Sequence, residues 1–316
     1  MDAKQRWRAD ALEADAVAVS ASRRTDIPAL FAPWFRRRLQ AGFAEYIPLG
    51  PPRLIRRSLL PTQVTHFNFW TKWPRPFFPA LDDVLSVGYP VLFNVTISGL
   101  GATAVEPNVP VSQRVVDATR ALARTIGRNA ILWRYDPVFV SERFDAAHHR
   151  RTFSELVEKL HGSVDRVAIS FVTPYQRQVG PDLRAYQAEQ RDAFVDLPVS
   201  QQVQLAGELA EIARSAELEL TICCNHALRS ALKLKASGCN SFCWAARVYP
   251  ELQRIKPPAN KPCRPDCACS REVDIGVYDT CTLGCRYSYG SRNARTAHER
   301  LRHHDPLSPC LVELKR

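Results

Sequence analysis

The sequence predicts an α/β fold, a (β/α)8-like barrel of the TIM type with a cysteine-rich C-terminal lobe over the carboxyl ends of its strands. Three observations predict it. Short runs rich in β-branched and aromatic residues recur up to about residue 245, as buried parallel strands require. Apolar residues at helical spacing separate most of these runs, and all ten cysteines follow residue 222. A doubly wound open sheet is the alternative.

Eight runs are predicted to be strands because each is short, apolar and bounded by turn-forming residues. They span residues 16–22, 44–49, 65–71, 90–96, 130–135, 166–172, 219–224 and 240–244. The link 51–64 carries a poor helix at best.

Helices are predicted between these strands. One begins with Ser112 as its N-cap and ends at Gly127. A short polar helix is predicted over residues 292–303. Three stripes of residues at helical spacing predict the helices. They consist of Val115, Thr119, Leu122 and Ile126, of Phe153, Leu156, Val157 and Leu160, and of Leu205, Leu209 and Ile212.

The composition changes after Trp244. Five prolines between residues 250 and 270 indicate an extended connector. The residues after it have too few apolar runs to build a core, so that a metal would supply the missing stabilisation. We therefore predict a (β/α) barrel over residues 1–249 and a metal- or cluster-binding lobe over residues 250–316.

Composition and charge also exclude several classes of protein. With 46% hydrophobic and 24% charged residues, the chain matches soluble globular proteins and is neither disordered, collagen-like nor a coiled coil. The sequence contains no run of about 18 apolar residues, so it predicts no membrane span. The first residues lack the apolar core of a secretory signal, so we expect a cytoplasmic protein. The net charge of +11 makes nucleic acid a possible partner, although an ordinary arginine-rich surface explains it as well.

Polar residues gather where the predicted strands end, which is where parallel barrels carry their chemistry. A buried charge needs a partner. Either Arg24 pairs with Asp136, or Asp26 with Arg134, as structural ion pairs, or these residues form a pocket for a small or anionic substrate. The candidate catalytic residues are Arg24, Asp26, Lys72, Arg134 and Asp136, and the candidate cofactor-binding residues are Asn94, Thr96 and Ser170.

The cysteine spacing predicts a metal centre. Cys267 and Cys269 form a C-x-C pair, Cys281 and Cys285 form a C-x3-C pair, and eleven residues separate the two pairs. Four such thiolates can close on one soft metal centre, and their spacing suits an iron–sulfur cluster better than zinc. A zinc staple is the alternative. Cys223 and Cys224 are interpreted as small hydrophobic residues, and the roles of Cys263 and Cys310 are left open.

Several segments together resemble the uncharacterised DUF1848 family over nearly the whole chain. They are SASRRTDIPA at 20–29, FWTKWP at 69–74, WRYDP at 133–137, ISFV at 169–172 and the tail pattern S-x3-DIG-x-Y-x-TC-x2-GC-x-Y at 270–287. The resemblance implies a C-terminal cysteine cluster similar to the C-x3-C-x2-C motif of radical S-adenosylmethionine enzymes. In that motif three thiolates hold a [4Fe–4S] cluster and leave one iron free for S-adenosylmethionine.

This sequence departs from that motif at its third position. Cys281 and Cys285 match the first two cysteines, but Ser288 stands at the third, and serine is a poor ligand for iron. Either Cys267 or Cys269 supplies the missing thiolate, or the reaction has been lost. If both bind, the cluster is fully capped and serves electron transfer or structure.

The function predicted from these observations is an iron–sulfur enzyme resembling radical S-adenosylmethionine proteins, with an electron donor as partner if it is redox-active. The alternatives are a zinc-stapled barrel with non-redox or no catalysis, and a nucleic-acid-binding or repair protein.

Overall fold

The computed structural model describes residues 6–48, 53–175, 177, 179–259, 266–291 and 293–313. The strands are β1 (Val17–Ala21), β2 (Phe43–Tyr46), β3 (Ile55–Ser58), β4 (Val64–Thr71), β5 (Val91–Thr96), β6 (Ile131–Val138), β7 (Arg166–Phe171), β8 (Glu219–Ile222) and β9 (Glu272–Asp274). The α-helices are α1 (Ile27–Leu30), α2 (Ala32–Ala41), α3 (Phe78–Val87), α4 (Ser112–Ile126), α5 (Ala146–Leu160), α6 (Gly180–Gln190), α7 (Val199–Ser215), α8 (His226–Ala231), α9 (Phe242–Val248) and α10 (Ala294–Arg302). In this part of the chain, no helix combines the length and the apolar character needed to cross a membrane.

Seven strands form one parallel sheet in the order β8-β7-β6-β5-β4-β1-β9. Helices follow β4, β5, β6 and β7 along the chain before the next strand of the sheet begins. The predicted α/β class is therefore confirmed. The pairing ends at β8 on one side and at β9 on the other, and no hydrogen-bonded ladder between described residues joins these two strands into a closed barrel.

One of the eight predicted strands is wrong, and another is a strand that lies outside the parallel sheet. The run 44–49 contributes β2, which pairs with β3 in a separate antiparallel hairpin, and β3 occupies the link for which a poor helix is predicted. The run 240–244 leads into α9 instead of forming a strand. The seventh strand of the sheet is β9, which comes from the cysteine-rich tail and pairs with β1. A three-residue strand carries too little periodicity to be recognised in a sequence.

The segment around α9 shows why its apolar run misleads. Phe242, Trp244 and Ala245 are buried against Leu92 and Leu132 of the sheet. Both a buried strand and a buried helical turn require such a run, so its composition does not distinguish the two. Burial explains the apolar residues, and tertiary packing determines the helix.

Helices cover one face of the sheet, called here the outer face. Its strands contribute Val19, Phe67, Phe93 and Trp133 to the main apolar core, and the three predicted stripes of α4, α5 and α7 pack against that core. Gly127 follows α4 as predicted, with a φ of 85° that glycine adopts without strain. The helical stripes predicted from the sequence are confirmed.

The alternate residues of the strands point to the opposite face, called here the inner face. Ser20, Asn68, Asn94 and Arg134 occupy such positions on four strands of the sheet. Apolar residues of the segment 239–255 cover part of this face. Polar groups buried there need partners, and Arg134 finds one in the site described below.

The carboxylate of Asp274 in β9 joins the tail to the sheet. It accepts hydrogen bonds from the hydroxyl of Ser22 at 2.7 Å and from the main-chain N–H groups of Arg23 and Gly276, both at 2.9 Å. The Nε of Arg24 lies 3.4 Å from the same carboxylate. These contacts fix where the tail leaves the sheet.

Gly238 brings the chain before α9 against the backbone of the tail. A Cβ added at Gly238 would lie 2.3 Å from the carbonyl oxygen of Ala268 and 3.0 Å from the Cα of Cys269. Backbone atoms cannot rotate away as the end of a side chain can. We therefore expect Gly238→Ala to lower the free energy of unfolding by about 1–3 kcal/mol, measured by denaturant titration.

The matched control is Gly207→Ala in α7, where the nearest atom to an added Cβ is the Cδ2 of Leu232 at 3.5 Å. Alanine in a helix interior should stabilise this position by about 0.5–1 kcal/mol. Equal midpoints for the two variants would show that the contact between Gly238 and the tail does not constrain the fold.

Candidate active site

A cavity of about 220 Å³ lies where β1, β4, β6 and β7 end, and residues 281–290 of the tail complete its lining. Of the predicted site residues, the cavity brings together Arg24, Asp26, Lys72, Thr96, Arg134, Asp136, Ser170, Cys281 and Cys285. These residues come from both ends of the chain, and the parallel sheet places them on one edge because its strands end there together.

Arg134 and Asp136 of β6 form an ion pair in this cavity. Residues two apart in a strand project from the same face, so their side chains can meet. The pair is largely removed from water, with side chains 7% and 15% exposed. The hydroxyl of Ser170 donates to the other oxygen of Asp136, and the guanidinium carbon of Arg134 lies 4.9 Å from the centre of the Trp70 ring. The ion pair is therefore held on both sides.

Arg24 lines the cavity, but its guanidinium binds the tail. Its Nη2 donates to the main-chain carbonyl of Asp274 at 2.5 Å, in addition to the ion pair with the Asp274 carboxylate. The two predicted ion pairs, Arg24 with Asp136 and Asp26 with Arg134, are wrong. Arg134 finds its carboxylate within its own strand, and Arg24 finds one in β9.

Lys72 follows β4 and is held by two residues that sequence reasoning missed. Its Nζ donates to the Glu106 carboxylate at 2.9 Å and to the Tyr287 hydroxyl at 2.8 Å. Burial by itself lowers the pKa of Lys72, and the Glu106 carboxylate reverses this, so that the pKa is raised. The requirement of a buried lysine for an anion was the signal that could have led to Glu106.

Asp26 lies at the start of α1. Its carboxylate accepts hydrogen bonds from the N–H of Ala29 at 2.9 Å and from the N–H of Lys72 at 2.7 Å. Burial raises the pKa of Asp26 to about 6, although these hydrogen bonds act in the opposite direction. A carboxyl group with such a pKa can exchange a proton close to neutral pH.

The raised pKa of Asp26 predicts a specific pH dependence of stability. The folded-state pKa of about 6 exceeds the ordinary 3.8, so the native state binds more protons than the unfolded chain between these values. Stability linked to Asp26 is complete below pH 3.8 and is lost as the pH rises to about 6. We expect the difference in unfolding free energy between wild type and Asp26→Asn to change by about 3 kcal/mol across this window.

Denaturant titrations of both proteins from pH 3.5 to 7.5 measure this difference, and taking the difference removes the contributions of the other titrating groups. Asp117→Asn, on the exposed face of α4, is the control. If the Asp26→Asn difference is as independent of pH as that of the control, the Asp26 carboxyl group titrates normally in the folded protein.

The three candidate cofactor-binding residues divide between two places. Thr96 and Ser170 line the cavity. Asn94 is fully buried on the inner face, where its amide donates to the Oδ1 of Asn68 at 2.9 Å and to the carbonyl of Cys239 at 3.0 Å. Asn94 is not among the residues that line the cavity. It connects β4 and β5 to the segment that begins at Cys239.

Cys281 and Cys285 place two thiols in the cavity. Burial raises the pKa of Cys281 to about 11 and holds the pKa of Cys285 well above its usual range, against the nearby charge of Lys72. At the third position of the cluster motif, the Ser288 hydroxyl accepts a hydrogen bond from the N–H of Gly290 at 3.1 Å. The cavity therefore fits two ligands of a three-thiolate cluster and does not fit the third.

Cys267 and Cys269 have different neighbours. They pack with Cys239 in an apolar cluster on the inner face, whereas Cys281 and Cys285 pack in another with Leu283. Cys263 lies outside the described residues, and Cys310 is buried in the main core. As the side chains stand, no three His, Cys, Asp or Glu residues in the described part of the chain are arranged to hold a metal ion.

Comparison with known protein families gives a match over most of the chain. Neither a curated protein nor a solved structure matches this chain. Residues 18–290 match the model of a family described as a domain of unknown function, DUF1848. The match includes the strands of the sheet, except for Val17 at the start of β1, and all the cavity residues named above. The chain therefore belongs to the DUF1848 family.

Proposed function

We propose that the cavity is the active site of an enzyme that acts on a small polar substrate carrying an anionic group. One observation carries this proposal: a buried ammonium, a buried guanidinium and a carboxyl group with a pKa near 6 line the same cavity, on Lys72, Arg134 and Asp26. Burying three ionisable groups costs folding free energy, and perturbed groups that converge in a cleft are typical of functional sites.

The contacts suggest a role for each group. The planar guanidinium of Arg134, held by Asp136 and Trp70, would bind a carboxylate or phosphate of the substrate. Lys72 would add a second positive charge. Asp26 would accept or donate a proton, because its pKa lies close to neutral pH.

Thermal unfolding in the presence of small anions tests this function. Simple carboxylates and phosphate monoesters should raise the melting temperature of the wild type, since a ligand that binds only the folded state stabilises it. Thr96→Val and Ser170→Ala, which change two lining groups and leave the charges in place, should reduce that rise. An anion effect that is absent from the wild type, or unchanged in both variants, would reject the cavity as the binding site.

We also propose that Cys281 and Cys285 hold an iron–sulfur centre at this cavity, as the resemblance to the radical-type cluster motif implies. Support comes from the two thiols in the lining and from Lys72, whose charge favours thiolates at this position. When bound, such a centre supplies one-electron chemistry and would need an electron donor. Because Ser288 does not provide a third thiolate, the proposal does not extend to cleavage of S-adenosylmethionine.

Anaerobic reconstitution with iron and sulfide tests the centre. The wild type should gain broad visible absorbance together with bound iron and sulfide, and Cys281→Ser/Cys285→Ser should lose both. Cys243→Ser, which changes an exposed thiol in α9, should behave like the wild type. Colourless protein that binds about one zinc per chain instead would contradict an iron–sulfur centre.

A further inference from the structure

A second group of thiols lies on the inner face of the sheet. The Sγ atoms of Cys239 and Cys269 are 3.5 Å apart, and both side chains are buried. The Cys223 thiol is within hydrogen-bonding reach of Cys239, and Cys267 is within reach of Cys269. Three segments that are distant in the sequence thus bring four sulfur atoms into consecutive contact, and none of the four forms a disulfide.

The backbone brings these thiols close to one another. Cys223 directly follows β8. Thr221, two residues earlier in that strand, lies beside Ala168 on the inner face. The N–H of Cys269 donates to the Sγ of Cys267 at 3.4 Å, a bond that a thiolate accepts better than a thiol. The close approach of Gly238 to the tail, described above, sets Cys239 beside Cys269.

Two buried arginines flank the group. The guanidinium groups of Arg134 and Arg166 lie near Cys239, and that of Arg134 also lies beside Cys223. Their side chains are only 7% and 4% exposed. The Nη1 atom of each is buried without a hydrogen-bond partner among the described residues. An unsatisfied buried donor is costly, and neutral thiols are weak acceptors.

We propose that Cys223, Cys239, Cys267 and Cys269 form a binding site for one soft divalent metal ion, of which Zn²⁺ is the expected occupant. The bound ion would replace the thiol protons, which pass to solvent, and would leave a tetrathiolate complex with a net charge of about −2. That charge gives the Nη1 atoms of Arg134 and Arg166 an acceptor. This site is separate from the centre proposed at Cys281 and Cys285.

The distances favour a single ion. With Zn–S bonds of about 2.3 Å, the sulfur atoms of a tetrahedral site lie about 3.8 Å apart, close to the separation of Cys239 and Cys269. In a [4Fe–4S] cluster each thiolate binds a different iron, so the thiolate sulfur atoms lie farther apart. Closing the site requires the thiols to lose their protons and Cys223 and Cys267 to move towards the central pair, which is why the described side chains do not form a ready-made site.

Cobalt binding tests this site in the full-length protein, because Co²⁺ in a tetrathiolate site absorbs strongly and reports its ligands. The chain is purified anaerobically, stripped with a chelator and titrated with Co²⁺ alone. The wild type should bind about one ion per chain with intense thiolate-to-metal absorption, and Zn²⁺ should displace it. Cys239→Ser/Cys269→Ser should lose this absorption, and the exposed Cys243→Ser should retain it.

The variant Cys281→Ser/Cys285→Ser separates this proposal from the proposed function. It should retain the cobalt absorption and lose only the iron–sulfur signal. If the cobalt absorption disappears in this variant and survives in Cys239→Ser/Cys269→Ser, the four-thiol site is wrong and the cavity thiols bind the metal. Absence of thiolate absorption in the wild type, or a Cys239–Cys269 disulfide in the anaerobically purified protein, also overturns the proposal.

Arg166→Gln gives a test that leaves every sulfur in place. Removing the charge beside Cys239 should weaken Co²⁺ binding about 10-fold, a typical effect of changing a residue that supports a ligand. Arg247 contacts the same Glu219 from an exposed position, so Arg247→Gln is the matched control and should bind Co²⁺ like the wild type. Equal affinities of the two variants would mean that no anionic complex forms beside Arg166, and this would contradict the proposal.

Discussion

We expect Glu106→Ala to lower the free energy of unfolding by about 3–5 kcal/mol, because it leaves the ammonium group of Lys72 buried without a counter-charge. The two side chains are 2% and 14% exposed. Glu106 also accepts a hydrogen bond from the Ser98 hydroxyl at 2.7 Å and another from the Tyr287 hydroxyl. Alanine therefore removes the acceptor of three donors at once. Denaturant titration followed by tryptophan fluorescence measures the loss.

Two further variants serve as controls for this result. Glu208→Ala breaks an ion pair with Arg150 in which both partners are about one-third to two-fifths exposed, and should cost at most about 1 kcal/mol. Lys72→Met/Glu106→Leu removes both charges and should recover part of the loss. If Glu106→Ala unfolds at the same denaturant concentration as Glu208→Ala, the buried pair does not stabilise the fold.

The second large effect is expected at the junction of the tail and the sheet. Asp274→Ala removes the acceptor of the Ser22 hydroxyl and of two main-chain N–H groups, and deprives Arg24 of its carboxylate. The Asp274 side chain is only 9% exposed, so water cannot replace these bonds freely. We expect a loss of about 3–5 kcal/mol in the free energy of unfolding, measured by denaturant titration.

Hydrogen exchange distinguishes a local opening of this junction from a general weakening of the core. The N–H of Ile275 donates to the carbonyl of Ser20 at 3.0 Å, so its hydrogen exchange reports the pairing of the tail with β1. Relative to the wild type, Asp274→Ala should accelerate the exchange of this amide more than the exchange of the amides of β5. Asp83→Ala breaks a half-exposed pair with Arg36 and is the control. Unchanged protection of Ile275 would show that Asp274 does not hold the tail.

Much of the site was predictable because strand ends are marked in the sequence. Lys72, Arg134 and Asp136 follow or end apolar runs, and the parallel sheet brings such ends together. Their partners were less predictable. Glu106 lies in an irregular loop and Tyr287 lies in the tail, so neither belongs to a periodic pattern that would assign it to this edge.

The amino-acid sequence by itself determined the α/β class, the helical stripes and the concentration of cysteines in the tail, because apolar periodicity and composition are local properties of the chain. Only the tertiary structure decided which thiols become neighbours. Cys267 and Cys269 contact Cys239 on the inner face, while Cys281 and Cys285 enter the cavity, although the two pairs are close in the sequence. The physical reason is that β9 lies between the two cysteine pairs in the sequence and is paired with β1. The segments before and after β9 therefore leave the sheet at opposite ends of this strand.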